Sequence, residues 1–239
     1  MTMKPQHLAK APIVEAMIAF DFEAQDKDQL SLLDKFYAAI QVEYPQRDPI
    51  RQAQVTFNEQ GSSGDTQLIG AKFVSSDSKR VCVINKSSFI GSRLAPYESW
   101  EPLRAEFERL WNIFSSLTDV RITKVAVRYI NKLFLPLGRD VSLTLKTRPE
   151  IAEGLPQDMV NVWLRLEVLI PEPQGLLIIT EAQLPPEKAG FVTFVLDHDL
   201  QFPVMAETAD VWTVLTAARE LKNQYFFASI SEELAQEFL

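Results

Sequence analysis

The feature that most constrains the fold is an order of apolar periodicities that occurs twice. From Pro12 to Thr118 the chain reads strand, helix, three strands, long helix. From Arg121 to Phe227 nearly the same order returns. A chain patterned in this way can close as one structure made of two similar halves, with both long helices packed on a shared sheet.

The first half opens with PIVEAMIAFDFE, residues 12–23. Val14, Ala16, Ile18, Phe20 and Phe22 share one side at a period of two, and Glu15, Asp21 and Glu23 fall on the other, as in a half-buried strand. Asp26 and Asp28 are candidate helix caps, Leu33, Phe36 and Ile40 recur at helical spacing, and Pro45 closes that helix. Three strands are expected next. They are residues 51–58, residues 66–74 (weakened by Gly70), and a segment that starts at RVCVI, 80–84, and can continue toward Phe89 or Arg93, with Gly61–Asp65 as the first turn. Ser99 then caps a helix whose stripe is Trp100, Leu103, Phe107, Leu110, Trp111 and Phe114.

The second half opens with residues 121–135. Val125, Val127, Tyr129 and Leu133 lie on one side, and Lys124, Arg128 and Lys132 on the other. Residues 148–159 read as loop or a short helix. Strands follow at 160–170, 176–184 and 191–202, then a last long helix capped by Thr208 or Asp210. Its inner stripe is read as Val211, Leu215, Ala218, Leu221 and Tyr225, and Ser229 or Ser231 caps a short terminal helix.

These readings predict an α+β fold. An N-terminal segment, 1–11, precedes a single pseudo-duplicated domain, 12–239, with halves of about 12–118 and 121–239. Each half is β-α-β-β-β-α, and together they form a curved, mostly antiparallel sheet with the long helices on one face. Two separate small domains are the alternative.

Composition limits function. A formal charge of −8 and a pI near 4.9 argue against non-specific nucleic-acid binding. No apolar run approaches the ~20 residues needed to cross a bilayer, and the N-terminus lacks the apolar core of a secretory signal. Cys82 is the only cysteine, which excludes an internal disulfide and suits a reducing cytoplasm.

Four groups of residues could carry chemistry. Asp197 and Asp199, two apart on a strand, put both carboxylates on one face. With Glu181 or Glu167 from neighbouring strands they could bind a divalent cation, while His198 points the other way. The alternative is a solvated sheet face. Lys124, Arg128 and Lys132 could hold a phosphate or carboxylate, or could pair across strands with acids such as Glu15 and Asp21. Cys82 sits in a strand and reads as a buried, inert thiol. Tyr225, Phe226 and Phe227 cannot all face one stripe, so either one meets a partner or the helix ends and the phenylalanines turn inward. With only two histidines and no nucleotide, redox or hydrolase motif, no cofactor is called for.

Five stretches occur together and in order: KAPIVEAMIAFDF, SRLAPYESWEPL, VRYINKLFLP, LDHD and LKNQYFFASISEEL. With them the chain resembles a sporadically distributed bacterial family of uncharacterised proteins of similar length, from about Leu8 to the C-terminus. The resemblance implies no assigned activity. Its patchy distribution suggests carriage with toxin, defence or mobile-element genes. The matched positions include Pro12, Glu15, Arg93, Pro96, Tyr97, Trp100, Arg128, Tyr129, Asn131, Asp197, Asp199 and Asn223. His198 departs from an apolar residue there, and Arg93, Tyr97 and Trp100 are expected to lock a strand-to-helix turn.

The sum favours a non-enzymatic binding or interaction module. Its partner would be a protein or a small ligand in the helix–sheet groove, with a homodimer among the arrangements allowed and no membrane. The rival is a metal-dependent enzyme in which Asp197 and Asp199 hold the ion and Arg128 or Lys132 binds an anionic substrate.

Overall fold

The two segments with the clearest alternation, residues 13–24 and 120–136, lie side by side and antiparallel at the centre of one sheet. The computed structural model describes residues 8–24, 29–58, 61–139, 141, 144–204 and 210–239. The elements in order are β1 (Ile13–Ala24), α1 (Gln29–Ile40), β2 (Gln46–Asn58), β3 (Gly61–Val74), β4 (Arg80–Asn85), β5 (Ser88–Leu94), α2 (Trp100–Ser115), β6 (Val120–Pro136), β7 (Trp163–Ile170), β8 (Gly175–Leu184), β9 (Phe191–Pro203), α3 (Val211–Ser229) and α4 (Glu232–Gln236). Among the described residues the sheet has nine strands in the order β2-β3-β4-β5-β1-β6-β9-β8-β7, all neighbours antiparallel, so the fold is α+β.

The alternation within each strand divides the sheet into two unlike faces. One row of opposed residues crosses from β3 to β7: Phe73, Cys82, Gly91, Ile18, Val127, Leu200, Leu177 and Val168. All lie on the face that α1, α2 and α3 cover, over β3, β5–β1 and β6–β9 respectively. The stripe of α2 is buried as its spacing predicts. Phe20 meets Phe107 and Trp111 edge-on, with ring centroids 4.9 Å apart in both pairs, a geometry worth about 0.5–1.5 kcal/mol per pair beyond burial. Tyr44 and Arg80 tie α2 down through Glu106, at 2.7 and 3.3 Å.

The halves differ from the predicted pattern in three places. The segment from Arg80 toward Arg93 is two strands, β4 and β5, joined by a turn at Lys86–Ser87. The first half therefore holds four strands after its helix, not three. No helix corresponding to α1 appears among the described residues between β6 and β7. Gly61–Asp65, expected as a turn, begins β3, which pairs with β2 up to Asn58↔Gly61. Gly70 does not end that strand. An added Cβ there would come within 2.2 Å of the Ile84 carbonyl oxygen, so glycine permits the close approach of β4.

Of the proposed caps, Asp26, Asp28 and Thr208 lie outside the described residues, as does His7. Asp210 accepts from the Trp212 N–H at 3.1 Å, and Ser231 from the Leu234 N–H at 3.2 Å. No described helix is long and apolar enough to cross a membrane.

Gly91 tests the packing of α2. A Cβ at this position would lie 2.8 Å from Cδ2 of buried Phe107. Gly91→Ala is expected to cost about 1–3 kcal/mol by forcing the ring and helix outward. Urea unfolding checks this, and an unchanged midpoint would contradict the packing.

Candidate ligand site under the last long helix

Helix α3 buries Leu215, Ala218, Lys222, Phe226, Phe227 and Ser229. The stripe expected through Leu221 and Tyr225 is therefore shifted by one position. From Ala218 the helix steps four residues to Lys222 and four more to Phe226, turning a lysine toward the sheet. Phe226 and Phe227 face inward while the helix continues to Ser229, and Tyr225 is half-buried.

Lys222 lines a cavity of about 330 Å³ where the two apolar clusters of the molecule meet. Its walls come from Leu8 and Ala11–Ile13, the β5–α2 turn (Tyr97–Glu101), β6 (Tyr129, Asn131), β9 (His198) and α3 (Arg219, Lys222, Asn223, Phe226, Phe227). Leu8 and Ala11, from the stretch assigned to an N-terminal segment, close one side. They are held partly by the Lys10 N–H donating to the Phe238 carbonyl at 3.0 Å. Tyr129 and His198 are cross-strand neighbours on the helix-covered face.

The polar groups of the cavity divide into satisfied and unsatisfied. Glu101 at the start of α2 pairs with Arg219 at 2.9 Å, and Glu98 pairs with Arg93 at 2.8 Å. Bonds from its own backbone N–H and from the Ser99 hydroxyl hold the Glu101 carboxyl below its ordinary value, so this helix terminus already has its anion. The Tyr97 and Tyr129 hydroxyls bond each other at 2.9 Å. Burial pushes Tyr97 up to about 12 and Tyr129 well above its ordinary value, so both stay neutral. Asn131 donates to the Leu196 carbonyl at 3.1 Å.

Lys222 is only 8% exposed. Its Nζ stands 3.7 Å from the centre of the Tyr129 ring, and among the described residues it has no hydrogen bond and no carboxylate. Burial, with the nearby Arg219 charge, lowers its pKa to about 7. His198 is the second unsatisfied group. Its Nε2 meets Ser229 Oγ at 3.0 Å, and that hydroxyl donates to the Tyr225 carbonyl at 2.8 Å. The ring therefore carries its proton on Nε2, and Nδ1 is a buried acceptor without a partner. Burial, then the Lys222 charge, lowers the imidazole to about 4.

The residues singled out from the sequence lie mostly elsewhere. Lys124, Arg128 and Lys132 are on the open face, and each has its own carboxylate: Asp21 at 2.7 Å, Asp197 at 2.6 Å and Glu187 at 2.9 Å. With these charges matched, the stripe is a set of ion pairs linking β6 to β1, to β9 and to the β8–β9 turn, not a cradle for a free anion. Asp197 accepts from both Nε and Nη2 of Arg128, and Asp199 accepts from Gln201. Glu181 sits opposite Leu196 on the helix-covered face, so strand alternation separates it from Asp197 and Asp199. The three carboxylates do not converge. An ion at Asp197 would have to displace Arg128. Among the described residues no group of three or more His, Cys, Asp or Glu side chains is arranged to hold a metal. Cys82 is buried, and burial raises its thiol pKa.

Compared with known proteins, the chain matches no family model and no curated protein. The site that sequence reasoning missed is Lys222. The signal was there, because Leu215, Ala218, Lys222 and Phe226 are at helical spacing. Leu221, one residue earlier, fits the apolar stripe by residue type, and type alone hides the lysine.

Glu181 gives a pH test that does not involve the cavity. Its Oε1 is buried without a partner, and burial, opposed by a bond from Thr147, raises its pKa to about 7. The folded chain therefore keeps a proton that the unfolded chain loses above the ordinary value of 4.5. This contribution is favourable at low pH and is lost as pH rises toward 7. Glu181→Gln is expected to melt a few degrees above the wild type at pH 8, with the gap closing toward pH 4.5. A gap that stays constant with pH would refute the assignment.

Proposed function

We propose that the protein is a binding module, acting without catalysis, whose cavity takes a small organic anion: a monocarboxylate with an apolar body. The observation that carries this reading is the ammonium of Lys222, held inside the protein without an anion while the other charges at the cavity are paired. A buried cation lacking its partner is costly, and a ligand carboxylate supplies the missing charge. The Asn131 amide and the two tyrosine hydroxyls lie around the same space, and Ile13, Trp100, Phe226 and Phe227 offer an apolar wall. The volume, about 330 Å³, suits a compact ligand at the lower end of the usual ~300–1,000 Å³ range.

The proposal extends to the chain's design and origin. An internal duplication is supported by strand order, since β3-β4-β5-β1 on one side of the centre answers β7-β8-β9-β6 on the other. Helices α2 and α3 follow the last strand of each set. On this reading residues 12–239 are one curved, pseudo-duplicated domain in which β2 and α1 belong to the first half alone. Membership of the uncharacterised bacterial family is part of this reading and rests on the five sequence stretches alone. Pro12, Tyr97, Trp100, Tyr129, Asn131 and Asn223 all line the cavity. A cytoplasmic location accords with the single, buried thiol.

Thermal unfolding with straight-chain monocarboxylates, butanoate to decanoate, tests the function against the matching primary alcohols. At pH 6.5 the acids are expected to raise the midpoint by a few degrees at millimolar concentration, and the alcohols by less. Binding should weaken as pH rises past 7, where free Lys222 loses its proton. Lys222→Met should abolish the shift and, without ligand, melt above the wild type. The depressed lysine costs stability fully below about pH 7 and progressively less toward its ordinary 10.5. An equal shift in Lys222→Met, or none with any acid, would overturn the reading.

A further inference from the structure

The two edges of the sheet are unlike. Edge strand β2 carries Pro49, a register shift between Ile50 and Arg51, and charges at Arg47, Asp48 and Arg51. These devices discourage another strand from adding to an edge. Strand β7, sequence WLRLEVLI, is less guarded, its only charges being Arg165 and Glu167, of opposite sign. It contains no proline, pairs with β8 without a register shift, and ends the sheet. Its apolar side chains stand in solvent on both faces. Trp163 is 70% and Leu169 81% exposed on the open face, and Leu166 is 37% and Val168 45% exposed on the other. In the first half α1 covers β3. No described helix does the same for β7.

The phase of the free edge can be read from one bond. The Gln183 N–H donates to the Val162 carbonyl at 2.9 Å, and the two residues continue the β7–β8 register. Leu164, Leu166 and Val168 share the phase of Val162 and turn their backbone groups toward β8. Trp163, Arg165, Glu167 and Leu169 therefore direct their N–H and C=O groups off the edge.

We infer that β7 pairs with β7 of a second copy of this chain, antiparallel about a two-fold axis at Leu166, making one continuous sheet. The strand is self-complementary in this register. Arg165 lies opposite Glu167 of the second copy, and Glu167 opposite its Arg165. Trp163 meets Leu169, Leu164 meets Val168, and Leu166 meets its own counterpart. The four outward-directed residues then exchange roughly eight backbone hydrogen bonds. The adjacent registers are excluded by charge. Centring the axis on Arg165 sets two guanidinium groups against each other, and centring it on Glu167 sets two carboxylates together, each unfavourable between opposed strand residues. Within one chain Arg165 bonds Glu167 along the same strand, a contact that the dimer exchanges for cross-strand pairs. Such a two-fold contact closes on itself, so pairing stops at two copies.

Light scattering coupled to size exclusion, on the full chain over a concentration series, reads the mass directly. The wild type is expected to reach the dimer mass. Leu166→Lys, which sets two ammonium groups at the axis from a partly exposed position, should give a monomer with unchanged circular dichroism. Arg165→Glu alone should weaken the dimer at least tenfold, and Arg165→Glu with Glu167→Arg should restore it. A wild type that stays monomeric to high micromolar concentration overturns the inference. So does a dimer that survives Leu166→Lys, or a double variant that fails to recover.

Discussion

The structure depends on the antiparallel pairing of β1 with β6. Each strand alternates large apolar with polar residues, so only one register keeps Ile18, Phe20, Val125 and Val127 together under the helices. That register also brings Asp21 to Lys124 on the open face and sets Tyr129 beside Ala16. Alanine is small, and the space above this row is where the cavity opens between α3 and the start of α2. A slip of one residue would bury the ion pairs and expose the aromatic core.

The cavity is a departure from the rule that buried charges are matched. Even partly exposed charges are matched here: Arg219 with Glu101, Arg93 with Glu98, and all three cations of the β6 stripe. Lys222 is not. Its ammonium faces the Tyr129 ring, which offers a weak attraction of about 0.5–2 kcal/mol, well short of the cost of desolvating a charge. Such an unmatched charge costs stability at one position of an otherwise well-packed helix.

Much of the architecture was legible before any coordinates. The stripe of α2 and the alternation of β1 are strong because one face of each is buried along its full length, so period and burial coincide. The division of β4 from β5 was not legible. The run Asn85-Lys86-Ser87-Ser88 is polar, but a strand can carry polar residues too, and only the pairing of β4 with β5 shows that the chain turns back there. The open-face residues Lys124, Arg128 and Asp197 were placed on strands from spacing, but their pairing depended on which strands become neighbours. Glu181 and Asp197 look alike in the sequence and end on opposite faces.

The sequence by itself determined the class of fold, the alternating strands and the helices that cover them, because periodicity is a local property of the chain. Tertiary structure alone decided that Lys222, not Leu221, turns inward, that Arg219 is matched while Lys222 is not, and that β7 is left without cover. Each of these depends on the rotation of a packed helix, or on the order of strands across the sheet. Both are set by contacts between residues tens of positions apart.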